Sequence, residues 1–208
     1  MDKIIIGIGA KKQAGKDTSA DILVKELGFK KMSFAAPLKD ICSLIFDMPI
    51  KSFYENKEDK LNPKVVLTAD HIEKLLIQLF PYDTFIVKDK RKLLLDNCLG
   101  KEFSTPREIL QYVGTDMARK YINDSIWVNI LVQDMNNYNK IVIPDMRFSN
   151  ERDLISSLDG KVVLIKRNGV DETDGHISEN DLGTEDDYDI VIENNGTLEE
   201  LKERVLCL

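Results

Sequence analysis

The chain has 208 residues, 43% of them hydrophobic, which suits one large α/β domain or a core with one inserted subdomain. Its 29 basic and 36 acidic residues leave a formal charge of −7, which argues against a broad electropositive surface for nucleic acid. No apolar run approaches the ~20 residues of a membrane span, the N-terminus shows no signal-peptide pattern, and the three cysteines are scattered, so we expect a cytoplasmic protein with no membrane partner.

Residues 4–18 read as an apolar strand, a phosphate-binding loop and the start of a helix. In the related pattern Gly-x-x-x-x-Gly-Lys-Ser/Thr, backbone N–H groups and the positive helix end hold phosphates. Here Ala10 stands at the first glycine position, and Asp17 stands where a hydroxyl usually binds Mg²⁺. We expect Lys16 to reach the β- and γ-phosphates of a nucleoside triphosphate, with Asp17 or Thr18 holding the metal through water. The alternative is a strand–turn–helix junction with a capping Asp and no ligand.

Strands alternate with helices along most of the chain. The predicted strands are 3–8, 29–34, 140–144, 161–166 and 189–193, and the predicted helices include 17–27, 37–46 and 197–205. Such alternation favours parallel pairing and a sheet covered on both faces. We therefore predict an α/β fold of three layers, with about five parallel strands.

Two segments depart from this alternation. Residues 48–103 mix charged loops with helical patterns at 69–80 and around 91–99. We interpret them as a mostly helical insertion, within a single domain 1–208, over the carboxyl edge of the sheet where ligands of such folds bind. The acidic loop 167–188 lies between the fourth and fifth strands, and it is either a solvated loop or a lid over the phosphates.

A further helix is predicted to begin at Thr105-Pro-Arg-Glu108, with Thr as the cap and Pro in the first turn. Residues placed at ~100° intervals put Arg107, Gln111, Gly114 and Ala118 on one face, with Thr115 at its margin. Small residues beside a guanidinium and an amide leave room for a flat ligand bearing a phosphate and a base. Gly114 costs roughly 1 kcal/mol in a helix interior, so either a ligand approaches closely there or another helix packs tightly at Gly114 and Ala118.

A third group of candidates follows the apolar strand at 140–144. Asp145 is placed to hold water on Mg²⁺, and Arg147 is placed to contact a phosphate through its planar fork. Glu151 lies near the start of the next helix and is a candidate for a sugar hydroxyl. Taken singly, each of the three is equally well read as a capping or surface residue. Trp127, the single tryptophan, is expected in the core.

In these residues and their order, the chain resembles the deoxynucleoside monophosphate kinases of large lytic bacteriophages. The resemblance covers nearly the whole chain and is weakest at 48–103. The matching segments are Gly-Lys-Asp-Thr (15–18), Phe-Ala-Ala-Pro-Leu-Lys-Asp (34–40), Leu-Gln-Tyr-Val-Gly-Thr-Asp (110–116), Trp-Val (127–128), Ile-Pro-Asp-Met-Arg (143–147) with Glu151, His-Ile-Ser-Glu (176–179) and Asn-Gly-Thr-Leu-Glu-Glu-Leu (195–201). The Lys-Asp-Thr ending is this family's usual form, whereas the family often has a basic residue where Gln13 stands.

The resemblance implies a P-loop kinase that uses ATP and Mg²⁺ to phosphorylate a deoxynucleoside 5′-monophosphate, often as a homodimer, in the cytoplasm of a bacteriophage host. The ATP-binding residues that it implies are Ala14, Gly15, Lys16, Asp17 and Thr18. The substrate-binding residues that it implies are Lys12, Lys39, Arg107, Gln111, Gly114, Thr115, Trp127, Asp145, Arg147 and Glu151. The expected catalytic groups are Lys16, Asp145 and Arg147, and the expected water-mediated metal site comprises Asp17, Thr18 and Asp145.

Two other functions compete with this one. The same core serves kinases of other small acceptors, such as dephospho-coenzyme A or a sugar acid. The helix face with Arg107, Gln111 and Thr115 favours an acceptor that carries a base. A regulator that binds ATP without transferring phosphate is the second alternative, and the presence of Lys16, Asp145 and Arg147 favours an enzyme over it.

Overall fold

The computed structural model describes residues 3–169 and 182–208. The chain divides into two compact units. The sheet unit comprises the residues up to Phe34 and from Val128 onward, and the helical unit, Ala35–Trp127, is inserted between them in the sequence. The predicted insertion 48–103 lies within the helical unit. Most of the predicted lid, residues 170–181 with the His-Ile-Ser-Glu motif, lies outside the described residues.

The sheet unit is built on a five-stranded parallel sheet, which confirms the predicted α/β fold. The described strands are β1 (Ile4–Ala10), β2 (Lys30–Lys31), β3 (Val65–Val66), β4 (Glu102–Phe103), β5 (Lys140–Met146), β6 (Lys161–Lys166) and β7 (Ile190–Glu193). The order across the sheet is β2-β5-β1-β6-β7, so β1 is central. Its carboxyl end therefore lies in the middle of the edge where ligands of open α/β sheets bind.

The described helices are α1 (Lys16–Leu27), α2 (Ala36–Ile45), α3 (Lys51–Tyr54), α4 (Ala69–Leu79), α5 (Thr84–Cys98), α6 (Pro106–Gln111), a π-helix (Tyr112–Ile122), α7 (Ile126–Met135), α8 (Ser149–Ser157), a 3₁₀ turn (Glu185–Asp187) and α9 (Leu198–Leu206). Among these described helices, none combines the length and the apolar character that crossing a membrane requires.

Helices cover both faces of the parallel sheet. Ile6 of β1 packs in one core cluster with Leu23 of α1 and Leu201 of α9. Ile5, the preceding residue, packs in a second cluster with residues of α7 and α8, among them Ile155. Successive side chains of a strand point to opposite faces, so the apolar run of β1 supplies both clusters. The predicted three-layer arrangement is therefore confirmed.

The strand predicted over 29–34 is shorter than expected, since β2 spans only Lys30–Lys31. The amide of Met32 still donates to the Val142 carbonyl, at 2.9 Å. Beyond it, the Ser33 hydroxyl and the Phe34 amide bind the carboxylate of Asp145 instead of a neighbouring strand. The Asp145 carboxylate accepts the hydrogen bond of the Phe34 amide, which a neighbouring strand would otherwise accept. The chain can therefore leave the sheet early.

The helical unit contains the short antiparallel pair β3–β4 and has an apolar core of its own. Phe46 packs edge-to-face against Phe103, with ring centroids 6.0 Å apart, and Phe103 in turn contacts Tyr112. The helical pattern predicted around 91–99 is part of a longer helix, α5, which begins after Asp83. The Asp83 carboxylate accepts hydrogen bonds from the amides of Phe85 and Ile86, so it caps that helix.

Candidate active site

The phosphate loop joins the central strand to α1, as predicted. Gly15, immediately before α1, has φ 109°, in the left-handed region that favours glycine. The amide and the hydroxyl of Ser19 both donate to the Gly15 carbonyl, at 2.9 and 3.0 Å, and fix the first turn of the helix. The first N–H groups of an α-helix have no carbonyl partner within that helix. This turn therefore offers hydrogen-bond donors and a positive dipole end to an anion.

Asn194, the first residue after β7, supports this loop. The residue is 8% exposed, and its Nδ2 donates to the Ala14 carbonyl at 2.8 Å. A Cβ atom at position 15 would overlap the same Nδ2. Gly15 is therefore required both by its backbone conformation and by the asparagine packed against it.

Lys16, at the start of α1, is held by an ion pair. Its Nζ lies 2.8 Å from Oδ2 of Asp17, and Nζ of Lys31 lies 3.5 Å from the other carboxylate oxygen. Partial burial raises the pKa of Asp17, but hydrogen bonding and charge from Lys16 and Lys31 outweigh it, so the pKa lies below its ordinary value. Asp17 is therefore a carboxylate at neutral pH, and Lys16 must exchange this partner to reach a phosphate.

A cavity of about 320 Å³ opens beside the phosphate loop. The cavity is lined by Gln13 and residues 15–18, by Arg167, and by residues of the turn into α9 and of α9 itself. Polar side chains of this lining, among them Asn194 and Thr197, can bind a polar ligand. All the residues that line this cavity belong to the sheet unit.

Asp145 lies in β5, the strand next to β1. Its Oδ2 accepts a hydrogen bond from the Ser33 hydroxyl at 2.6 Å, and its Oδ1 accepts one from the Phe34 amide at 3.0 Å. Both carboxylate oxygens are thus held in a defined orientation near the carboxyl end of the strand. That orientation suits a carboxylate that holds water on a metal ion, which stays a prediction.

Glu151 is 2% exposed and caps the start of α8. Its Oε2 accepts hydrogen bonds from the amides of Arg147, at 2.7 Å, and Phe148, at 3.2 Å. The contacts thus support the capping interpretation of Glu151. They also fix the backbone at Arg147, whose contact with a phosphate stays a prediction, as does the contact of Glu151 with a sugar.

The helix predicted to begin at Thr105 is present in the helical unit. Thr105 Oγ1 accepts a hydrogen bond from the Glu108 amide at 3.2 Å, and Glu108 Oε2 reaches back to the Ser104 amide at 2.8 Å. Arg107 follows the cap, and its guanidinium forms an ion pair with Glu58 at 3.2 Å. The Arg107 side chain is only 16% exposed, so most of its surface is buried.

The helix changes type after Gln111, since Tyr112–Ile122 form a π-helix. A Cβ atom at Gly114 would lie 2.6 Å from Cδ2 of Leu38 in α2. The contacts therefore explain this glycine by tight packing against another helix, the alternative that the sequence analysis left open. A π-helix also turns by a smaller angle per residue than an α-helix, which alters the faces assigned at ~100° intervals.

The remaining predicted substrate-binding residues differ in exposure. Trp127 is 3% exposed, and its Nε1 donates to the Gly114 carbonyl at 3.0 Å, which confirms the expected core position. The Lys39 ammonium lies over the Tyr54 ring, 4.1 Å from its centroid. Lys12 is exposed in the phosphate loop, and Gln111 and Thr115 are partly exposed in the helical unit.

The donor groups of the sheet unit decide whether the site suits Mg²⁺. Within 3–169 and 182–208, no three His, Cys, Asp or Glu side chains gather into a metal-binding group. Asp17 and Asp145 are carboxylates of the sheet unit, and Thr18 offers an exposed hydroxyl. Mg²⁺ usually keeps several waters and binds through one or two carboxylates together with substrate phosphates. The donor set therefore fits a water-mediated ion that requires a bound phosphate.

The predicted site residues are divided between the two units. The sheet unit holds Lys12, Ala14, Gly15, Lys16, Asp17, Thr18, Asp145, Arg147 and Glu151, and the helical unit holds Lys39, Arg107, Gln111, Gly114, Thr115 and Trp127. Asn194 and Arg167 also line the cavity beside the phosphate loop, although neither is among the predicted binding residues and Arg167 is the first residue of the predicted lid 167–188. Each directly follows a predicted strand, but this position alone does not distinguish a residue of the site from one that simply ends a strand.

The parallel sheet with a phosphate loop at the end of its central strand defines a P-loop nucleotide-binding fold. A family model for deoxynucleotide monophosphate kinases matches residues 88–205. A putative deoxynucleotide monophosphate kinase of Acanthamoeba polyphaga mimivirus is 31% identical over 217 residues, 98% of this chain and 94% of the relative. The deoxynucleotide monophosphate kinase of Enterobacteria phage T4 is 26% identical over 238 residues, 97% and 96% of the two chains. Among solved structures, TT1252 from Thermus thermophilus overlaps with a TM-score of 0.47 and 16% identity, over 100% of this chain and 96% of that one.

The chain belongs to the deoxynucleotide monophosphate kinase family, and it is a kinase. The resemblance stated from its motifs is thereby confirmed.

Proposed function

We propose that this kinase transfers the γ-phosphate of ATP to a deoxynucleoside 5′-monophosphate, giving a deoxynucleoside diphosphate and ADP for DNA precursor synthesis. The observation that carries the proposal is the phosphate loop, with Lys16 at the start of α1, in a chain of this family. The names of the relatives support a nucleotide as the acceptor.

The donor binds at the phosphate loop in this proposal. The phosphates of ATP lie against the residues 14–18, and its nucleoside occupies the cavity between the loop and the turn into α9. The dimensions and polar walls of that cavity support this assignment. Lys16 exchanges Asp17 for the β- and γ-phosphates, an exchange that the exposed position of the carboxylate makes inexpensive.

The transfer itself requires in-line positioning and cations around the transferred group rather than a covalent intermediate. Lys16 and Arg147 supply protein charge, and Arg147 does so through a planar fork that can bind two phosphate oxygens. Asp145 orients water in the site through a carboxylate that Ser33 and Phe34 hold in place. Asp17, Thr18 and Asp145 would hold a Mg²⁺ ion through water, and the ion would supply positive charge beside the phosphates.

In this proposal the acceptor contacts the residues that the family resemblance implies. These are Lys12, Lys39, Arg107, Gln111, Gly114, Thr115, Trp127, Asp145, Arg147 and Glu151. Arg107 requires an exchange of its partner Glu58 for a phosphate, as Lys16 does with Asp17. The amide of Gln111 offers both a donor and an acceptor to a base edge.

The relatives of viral origin support expression in the cytoplasm of an infected host cell. Dimerisation is proposed from the family resemblance, and light scattering of the purified protein tests it. A kinase of another small acceptor stays the competing proposal, because P-loop folds serve many reactions.

The test is ADP release from ATP and Mg²⁺ with each of the four deoxynucleoside monophosphates, with their ribose counterparts, with dephospho-coenzyme A and with no acceptor. We expect release that depends on at least one deoxynucleotide, with the diphosphate product identified directly. Release that depends only on dephospho-coenzyme A, or on no acceptor, would contradict the proposed acceptor.

A further inference from the structure

We propose that Asn194 is a positioning residue of the phosphate loop, which holds the loop in its phosphate-binding shape from the wall of the neighbouring cavity. The inference rests on the proposed function, since it assumes that this loop binds the donor phosphates. It concerns a residue outside the motifs that identified the site.

Asn194 fixes the direction of one peptide unit in the phosphate loop. Its Nδ2 donates to the Ala14 carbonyl at 2.8 Å. The same planar trans peptide carries the N–H of Gly15, which points in the opposite direction from that carbonyl. The hydrogen bond therefore orients the Gly15 N–H away from Asn194, and this N–H is one of the donors that a phosphate loop presents.

Asn194 also links separate parts of the sheet unit. Its backbone amide donates to the Lys166 carbonyl at 2.7 Å, at the end of β6, while its side chain binds the loop after β1. Asn194 is 8% exposed, and burying an amide is unfavourable unless it forms hydrogen bonds. The residue thus ties the phosphate loop to the ends of two other strand segments.

Asn194 and the phosphate loop are also in close steric contact. The Asn194 amide occupies the space that a Cβ at Gly15 would need, so the loop packs directly on this side chain. Asn194 also lines the cavity that the loop borders. A change at Asn194 therefore alters the loop itself as well as the cavity wall.

Asn195 provides a matched control in the same turn. It is exposed, its Oδ1 accepts a hydrogen bond from the Asn168 amide at 2.7 Å, and its Nδ2 donates to Glu193 at 3.3 Å. Residues 194 and 195 are both asparagines, but the side chain of Asn195 forms its hydrogen bonds with residues outside the phosphate loop. A general effect of disturbing the turn would appear in both variants.

The experiment compares wild type, Asn194→Asp, Asn194→Ala and Asn195→Ala. Each protein is saturated with a fluorescent ATP analogue in excess Mg²⁺, and the analogue is displaced by ATP or by inorganic tripolyphosphate. Asn194→Asp keeps the shape of the side chain but sets an oxygen against the Ala14 carbonyl. We expect both Asn194 variants to lose about tenfold in affinity for ATP and for tripolyphosphate, and Asn195→Ala to stay within about twofold of wild type.

Different outcomes separate the inference from the function on which it rests. Asn194 variants that bind tripolyphosphate as wild type does, with or without weaker ATP binding, overturn the positioning role. Wild type that binds neither ligand overturns the donor assignment and this inference with it. If the Asn194 variants fail to fold, NMR of wild type decides: tripolyphosphate must shift the side-chain amide signals of Asn194 and leave those of Asn195 in place. Unshifted Asn194 signals overturn the inference.

Discussion

At the scale of single residues, Lys16 is the side chain on which the proposed chemistry depends most. It is the first residue of α1, and its ammonium group forms an ion pair with Asp17. We expect Lys16→Ala to lower phosphoryl transfer by at least about a hundredfold, because a cation aimed at the transferred phosphate is lost. Steady-state kinetics measures the effect, and an unchanged melting temperature shows that the variant is folded.

The matched control for Lys16 is Lys25→Ala, in the last turn of the same helix, where the side chain is exposed. It removes one lysine from α1 without touching the phosphate loop, so its kinetics should match wild type. Substantial transfer by Lys16→Ala would remove the loop from the proposed site.

A substitution of Arg147 by lysine keeps the positive charge but removes the planar guanidinium, so it tests whether the shape of the cation matters. The Glu151 cap fixes the backbone at Arg147, which favours a defined guanidinium position. We expect Arg147→Lys to lower kcat by about tenfold or more, because one ammonium cannot replace a planar fork with two parallel hydrogen bonds. Arg204→Lys, on α9, is the control for the same exchange elsewhere. Equal kinetics for the Arg147 variant and wild type would exclude Arg147 from the site.

Residue types predicted the phosphate loop because its donors, its glycine and its lysine are adjacent in sequence. Asn194 escaped prediction because its contact with Ala14 joins residues 180 positions apart. No local pattern distinguishes an asparagine that supports a distant loop from one that simply ends a strand. The roles of Glu151 and Gly114 were open for the same reason, since each depends on a neighbour that the fold provides.

At the scale of elements, the start of α4 carries a pH-sensitive cap. Nδ1 of His71 accepts a hydrogen bond from the Thr68 amide at 3.1 Å, and Thr68 Oγ1 accepts one from the His71 amide. Protonation of Nδ1 removes the first bond. Burial lowers the pKa of His71 below its ordinary value, although the charge of Asp70 partly opposes this. Because the folded-state pKa is depressed, the cap stabilises the fold above the ordinary pKa and is lost as pH falls through the folded value.

We therefore expect wild type to lose stability relative to His71→Gln as pH falls from about 7.5 to about 5. Glutamine is a usual residue at this capping position and does not titrate. Thermal unfolding of both proteins across that pH range measures the difference. A constant difference in melting temperature would show that His71 does not titrate as the cap requires.

The packing of Gly114 in the π-helix leads to a second prediction at this scale. Gly114→Ala should destabilise the protein by about 1 kcal/mol, because overpacking against Leu38 outweighs the gain in helix propensity. In a Leu38→Ala background the space is free, and the same change should become neutral or stabilising. Chemical denaturation measures both effects. If the change instead raises the KM for the acceptor equally in both backgrounds, a ligand rather than Leu38 requires the glycine.

Element type was predictable where the pattern was periodic and was not predictable elsewhere. β1, β6 and α1 were close to their predicted bounds because apolar runs and flanking glycines define them. The early end of β2 depends on the carboxylate of Asp145, far away in sequence. The length of α5 was obscured by its charged residues 88–92, and the widening to a π-helix has no sequence signal that we recognise.

At the scale of the whole molecule, a helical unit is inserted into a P-loop sheet unit, and each unit contains predicted site residues. The fold alone defines a phosphate-binding class, because many reactions use it. The acceptor is proposed from the family, which the sequence motifs also indicate.

The central claim is that this chain joins a phosphate of ATP to a deoxynucleoside monophosphate. The most direct measurement is ADP release with each of the four deoxynucleoside monophosphates, with the products separated by chromatography and with Lys16→Ala run in parallel. The account predicts stoichiometric ADP and deoxynucleoside diphosphate with at least one base, and at least about a hundredfold slower formation of both products by the variant. ATP binding by wild type without any acceptor-dependent release would contradict it.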